Sequence, residues 1–131
     1  MDASGYVWSV YASGAGISKF TDTGTLAANY TAGNLTNGTA LAVDGAGTVW
    51  IVQGGSQKNV FAVSNAGAVL STTGFAAAGG ITSPTSVSVN AAGSLWIANG
   101  DSSATEVIGV AAPVTTPTVE QVIHQNPGSK P

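Results

Sequence analysis

Apolar residues in this chain come in short runs, cut at regular intervals by small polar tetrads. Ala40-Leu41-Ala42-Val43 and Ser86-Val87-Ser88-Val89 are two such runs, and the second alternates strictly. Alternation sends successive side chains to opposite faces, which is the signature of a half-buried strand. The tetrads that follow are Asp44-Gly45-Ala46-Gly47 and Asn90-Ala91-Ala92-Gly93, and Asp2-Ala3-Ser4-Gly5 has the same form. Their Asx side chain caps the turn backbone, and their Gly accepts the positive φ of a tight hairpin. A second set of turns, Asp22-Thr23-Gly24 and Asn65-Ala66-Gly67, precedes runs from Leu26 to Tyr30 and from Ala68 to Thr72. No window of about a dozen residues keeps a helical stripe free of Gly or Pro. The pattern predicts an all-β chain.

These elements repeat. Tyr6-Val7-Trp8, Thr48-Val49-Trp50 and Ser94-Leu95-Trp96 follow the three tetrads and use every tryptophan in the chain, at spacings of 42 and 46 residues. A second motif follows each: Ile17-Ser18-Lys19-Phe20, Val60-Phe61-Ala62-Val63 and Val107-Ile108-Gly109-Val110. Four short strands per roughly 45 residues describe one β-propeller blade. A Gly-rich β-sandwich is the alternative, but sandwiches do not repeat at a fixed period.

The run of an apolar strand, Val-Asp/Asn-x-x-Gly-x-Val/Leu-Trp and a further short apolar strand resembles bacterial NHL-type propellers, in particular the streptogramin-lyase-like group. Pro84-Thr85-Ser86-Val87-Ser88-Val89-Asn90 is similar to the opening of such repeats, and Gly109 to Pro117 to the segment that ends the last blade. The likeness spans residues 1–117 and implies fold rather than function, since propellers host enzymes, binders and scaffolds.

With the strands of a blade lettered a to d from the axis outward, the first copy (about 1–33) begins at the end of strand a and supplies b, c and d. The second (about 38–76) is complete. The third (about 84–117) has a, b and c. The expectation is a propeller fragment of about three blades, with an open edge and an uncovered apolar blade face at each end. Propellers close with four to eight blades, and open edges leave unpaired N–H and C=O groups. Ring closure by homo-oligomerisation removes both liabilities. Two copies give about six blades and three about eight or nine, so a homodimer is expected first and a homotrimer next. Residues 118–131 are either a tail among prolines or a strand that completes a blade.

Composition narrows the function. About half of the 131 residues are Gly, Ala, Ser or Thr, 7% are charged, arginine is absent and the formal charge is −3. A phosphate-tracking surface needs Lys or Arg at each contact, so no nucleic-acid partner is expected. No run of about 18 apolar residues exists, so no membrane span is expected. The absence of cysteine excludes a disulfide framework and a thiolate nucleophile. Asp2 directly follows Met1 without a basic or apolar leader, so no signal peptide is expected in this chain. The family it resembles is often secreted or periplasmic, and localisation stays open.

Few residues can carry chemistry. Streptogramin lyases, as the resemblance implies, use histidines and an acid near a metal. Residues 1–117 contain no histidine, so that activity is not expected here. Glu120 and His124 share a face at spacing four and suit a general base with its orienter, or two ligands of a shared metal. A solvated pair is the plainer reading. Asp2 and Asp44 stand where the third copy has Asn90, a swap that turns accept and metal sites do not, so these acids are read as structural. Asp101, in Asn99-Gly100-Asp101-Ser102-Ser103, departs from the repeat and lies on a b–c connection. A closed ring brings Asp101, Asn99, Gln53, Gln57 and Lys58 of each copy to one rim. Oxygens there suit a divalent cation such as calcium. That allows a promiscuous metal-assisted hydrolase, phosphotriesterase- or lactonase-like, with its site at the channel mouth. The expectations for function are therefore a self-assembling scaffold or binding module first, a rim hydrolase second, and a sugar-binding ring using Tyr11 or Tyr30 third. The tryptophans, fixed in strand b, are expected to pack between blades.

Overall fold

A computed structural model describes residues 1–75 and 80–114, which hold nine strands and no helix. Strands β1 (Val7–Val10), β2 (Gly16–Phe20) and β3 (Leu26–Thr31) form the first antiparallel sheet. The second contains β4 (Gly38–Val43), β5 (Val49–Gln53) and β6 (Asn59–Val63), and the third β7 (Pro84–Val89), β8 (Leu95–Asn99) and β9 (Ala104–Val107). Each sheet is a meander in chain order. The sheets stack face to face, with β4 against both β1 and β7.

The tetrads fold alike. In each, the Asx backbone N–H donates to the carbonyl four residues on, as in Asp44 to Thr48 at 3.0 Å and Asn90 to Ser94 at 3.0 Å. The Gly N–H returns to the Asx carbonyl. Gly5, Gly47 and Gly93 sit at φ of 87°, 82° and 79°, a left-handed backbone that a Cβ would strain.

Packing explains which strands alternate. β5 and β6 are buried at every position because a sheet covers each of their faces. Their sequences, VWIVQ and NVFAV, are accordingly continuous runs. β8 alternates buried and exposed because one of its faces is covered. Two core layers result. Trp8, Ile17, Leu35, Val49, Ile51, Phe61 and Val63 fill the space between the first and second sheets. Trp50, Val52, Val60, Ala62, Leu95 and Ile97 fill the space between the second and third. The faces carrying Trp8 and Trp50 each meet the opposite face of the following sheet.

Three differences from the sequence reading have local causes. The strand expected over Val107-Ile108-Gly109-Val110 lies three residues earlier, in β9, and Ile108 is 77% exposed. A short turn, closed by Asn99 N–H to Ser103 C=O at 2.9 Å, starts the strand early. The strand expected from Ala68 to Thr72 is reduced to bridges at Val63–Val69 and Val60–Phe75. There the Ser71 hydroxyl, not a backbone carbonyl, accepts the Ala62 N–H at 3.0 Å. After β9, Ala111 N–H donates to Gly93 C=O and Gly45 N–H to Ala112 C=O, so the chain turns back onto two tetrads. Residues 118–131, with Glu120 and His124, lie outside the described residues.

Phe61 is 1% exposed between two sheets. Phe61→Ala is expected to lower the unfolding free energy by about 3–5 kcal/mol. A urea titration measures it; a loss below about 1 kcal/mol, the scale of an ordinary surface change, would contradict this packing.

Candidate functional site

Heavily bonded side chains stand at the junctions between sheets as well as at the rim. Asp2 is fully buried. Its Oδ1 accepts the Ser4 and Tyr6 N–H groups at 3.0 Å each, which shapes its own turn. Its Oδ2 accepts the Trp8 indole N–H at 2.9 Å and the Asn65 side-chain amide at 2.9 Å. Asn65 belongs to the next sheet, so one carboxylate fixes a turn, a core aromatic and a neighbouring sheet. Asp44 repeats the arrangement: Ala46 and Thr48 N–H on Oδ1, then Trp50 Nε1 at 3.0 Å and Ala112 N–H at 3.0 Å on Oδ2. Burial opposes the charge of Asp2, but the hydrogen bonds from Trp8, Tyr6, Asn65 and Ser4 outweigh it and hold its carboxyl below its usual value.

Lys19 completes the first junction. It is 8% exposed, with Nζ 3.9 Å from Asp2 Oδ2. Nζ donates to the Asn65 side-chain carbonyl and to the Asn65 backbone C=O at 3.2 Å. It also lies 4.2 Å from the Tyr6 ring centre and 4.9 Å from that of Trp8. Trp8 stacks on Tyr30 with centroids 5.8 Å apart, and Trp50 meets Phe75 at 6.2 Å.

The third sheet departs from this pattern. Asn90 Oδ1 accepts Ala92 and Ser94 N–H as its counterparts do. Among the described residues, however, Trp96 has no hydrogen bond from its indole and no aromatic partner. It is 44% exposed, against 6% for Trp8 and 5% for Trp50. Trp96 lines an open hollow with Ser86, Ser88, Ala98 and Ala104, and Glu106 stands across from it in register. At the other end of the stack Val7 and Leu26 are exposed, beside Ser9 and Ser18 where the second sheet has Ile51 and Phe61. The end faces are thus less apolar than the sequence reading expected. Serine and small residues stand where the inner faces carry Val, Ile and Phe.

The rim residues fall into two groups. Gln53 is fully buried: its side-chain carbonyl accepts Thr36 N–H at 2.7 Å and its amide donates to Asn59 at 2.8 Å. Asn99 accepts Thr82 N–H at 3.3 Å and donates to Gly80 C=O at 3.2 Å, and also to the Ser103 and Thr105 hydroxyls. Both amides staple the segment that leads into their own sheet's first strand, so their oxygens are taken. Gln57 and Lys58 are exposed on the β5–β6 connection. Asp101 is exposed on the β8–β9 connection. Its Oδ1 accepts the Ser103 hydroxyl at 2.6 Å and backbone N–H at 3.2 Å, and its Oδ2 accepts the Thr82 hydroxyl at 2.5 Å. The Ser103 and then the Thr82 hydroxyl hold its carboxyl below the usual value. Asp101 therefore sits close to Asn99 through Thr82 and Ser103, and shares no hydrogen bond with Gln53, Gln57 or Lys58. Among the described residues, no three His, Cys, Asp or Glu side chains gather where a metal ion would sit. Tyr11 bonds Ser18 through its hydroxyl at 2.5 Å, and one face of Tyr30 is stacked on Trp8.

Sequence reasoning read Asp2 and Asp44 as turn residues and stopped there. The missed signal is the six-residue spacing to Trp8 and Trp50, which is kept at Asn90 and Trp96 with the acid replaced.

No family model matches the chain, and no curated protein matches it. Among solved structures it is similar to the selenomethionine-substituted virginiamycin B lyase from Staphylococcus aureus, with a TM-score of 0.61 at 15% identity. The likeness covers 87% of this chain and 39% of the lyase, so the chain spans about two fifths of that protein. The shared property is the fold: this chain has the architecture of part of a β-propeller.

Two outcomes follow from the junctions. Asp44→Asn keeps the turn, as Asn90 does, but turns a donor toward the Trp50 indole and the Ala112 N–H. It is expected to cost about 1–3 kcal/mol, with altered Trp50 fluorescence in the folded state. Asp2 ionises more readily folded than unfolded, so its contribution is complete above about pH 4 and is lost as pH falls through the lowered folded value. Stability measured from about pH 5 to about pH 2 should therefore fall, and Asp2→Asn should make that slope shallower. An unchanged slope would show that Asp2 is not held in this way.

Proposed function

We propose that the chain is a self-assembling propeller module, whose copies join end to end into a closed ring that serves as a scaffold or binding module. One observation carries the reading. Trp96 occupies the place at which Trp8 and Trp50 are covered by the following sheet, yet it is 44% exposed. A surface of this kind, next to the hollow lined by Ala98 and Ala104, is suited to a further sheet. The exposed Val7 and Leu26 at the opposite end offer the complementary face.

A heterologous contact of this type must either close or continue into a filament. Two copies supply six sheets and three supply nine, and closed propellers have four to eight blades. The dimer is therefore favoured. The lyase supports a similar count, since a stretch covering 39% of it fits between two and three times into its length. Serine-rich end faces make such a seam weaker than the inner junctions, so assembly is concentration-dependent.

The scaffold reading is preferred over a metal-assisted hydrolase because Asp101 is engaged as a turn clasp by Ser103 and Thr82. It is preferred over a sugar-binding ring because Tyr11 and Tyr30 are engaged within the first sheet and its junction.

Light scattering after gel filtration should give a mass twice the 12.8 kDa of the chain at high concentration, falling on dilution. Trp96→Asp places a charge on the joining face and should leave a folded monomer. A monomeric wild type at every concentration would overturn the proposal.

A further inference from the structure

The two ends of the stack carry the polar pair of the inner junction with its members exchanged. At the junction of the first and second sheets, the acid is in the tetrad, Asp2, and the amide is in the turn after the third element, Asn65. That second turn has an equivalent in the first sheet. Thr21 N–H to Thr25 C=O at 2.8 Å and Gly24 N–H to Thr21 C=O at 3.0 Å match Ser64 to Ala68 at 2.8 Å and Gly67 to Ser64 at 2.9 Å. Asp22 thus takes the place of Asn65. At the far end Asn90 takes the place of Asp2, with its oxygen already committed to Ala92 and Ser94 and its amide protons turned away from those bonds.

The strand register places a third group. Trp8 pairs with Lys19 and Trp96 pairs with Glu106. Lys19 is the residue that reaches Asn65 across the inner junction. Its counterpart at the open end is therefore an acid, and it faces the position that Asp22 of a second copy would occupy.

Resting on the ring reading above, we infer that Asn90 and Glu106 of one copy meet Asp22 of the next at the seam. The Asn90 amide donates to the Asp22 carboxylate, the reverse of the Asp2–Asn65 bond. Glu106 stands against the same carboxylate as a like charge. Closure therefore has an attractive hydrogen bond and a repulsive charge pair at one spot, and dissolved salt, by screening the repulsion, tightens the ring. Among the described residues, neither β8 nor β9 contributes a lysine, and none lines the hollow that Asp22 shares with Ser4, Gly5, Tyr6 and Thr21.

The test is sedimentation equilibrium of the intact chain at about 20 mM and about 500 mM sodium chloride, where the Debye length falls from about 20 Å to about 4 Å. The dissociation constant of the wild type should fall about 3–10-fold with salt. Glu106→Lys restores the charge of Lys19, so it should assemble about tenfold more tightly at low salt and lose affinity as salt rises. Asp22→Asn keeps an acceptor for Asn90 and removes the repulsion, so its assembly should be insensitive to salt. Asn90→Asp keeps the turn, as Asp44 does, but adds a carboxylate and removes the donor, so it should weaken assembly about tenfold or more at low salt. If the wild type assembles but these three variants share its constants and salt response, the seam contact is overturned and the ring stands. If the wild type and Glu106→Lys are both monomeric at every concentration, the ring reading fails and this inference with it.

Discussion

The carboxylate that accepts from both a buried indole and the neighbouring sheet is what the stack depends on. A buried Trp Nε1–H needs an acceptor, since an unpaired donor costs about 1–3 kcal/mol. Asp2 and Asp44 supply it with one oxygen and shape a tight turn with the other. The turn, the orientation of the tryptophan and the contact with the next sheet are thereby set by one side chain. A buried anion without such donors would be strongly disfavoured. Each Asp is stable in its place because four N–H groups converge on it, three of them from the turn and strand that follow it in the repeat.

Much of the fold was legible in the residues. Strict alternation in Ser86-Val87-Ser88-Val89 and the Asx-x-x-Gly tetrads locate strands and turns without help from tertiary structure, because both signals are local. What escaped was whatever depended on a neighbour. The strand β9 begins at Ala104 because Asp101 and Ser103 close a short turn, and a stretch as polar as Ala104-Thr105-Glu106 gives no apolar run to announce it. Likewise Ser71 interrupts a strand through one side-chain bond to Ala62. At the candidate site, Gln53 and Asn99 look from the sequence like loop oxygens, yet they are buried staples. Their apolar surroundings and their partners, Thr36, Asn59, Thr82 and Gly80, come from other parts of the chain.

The inner and outer faces of the sheets show what burial asks of a sequence. Where two sheets meet, paired positions are Ile51 with Phe61 and Val52 with Val60. At the ends the same positions are Ser9 with Ser18 and Ala98 with Ala104. The ends are neither fully polar, as a capping repeat would be, nor fully apolar, as a core would be.

The bond from Asp2 to Asn65 has a consequence for what counts as a unit in this protein. A blade is the visible repeat, but its tetrad is only satisfied when the following blade supplies a donor, Asn65 for Asp2 and Ala112 for Asp44. Thermodynamically the unit runs from the tetrad of one sheet to the last turn of the next, as from Asp2 to Asn65, 63 residues on. Gene segments cut at blade boundaries would separate each acid from its donor. Asp44 and Ala112 lie 68 residues apart, so a segment that keeps a pair must be longer than the repeat itself. A single added blade would leave its acid dependent on a neighbour, so the junction rather than the blade is the smallest satisfied unit.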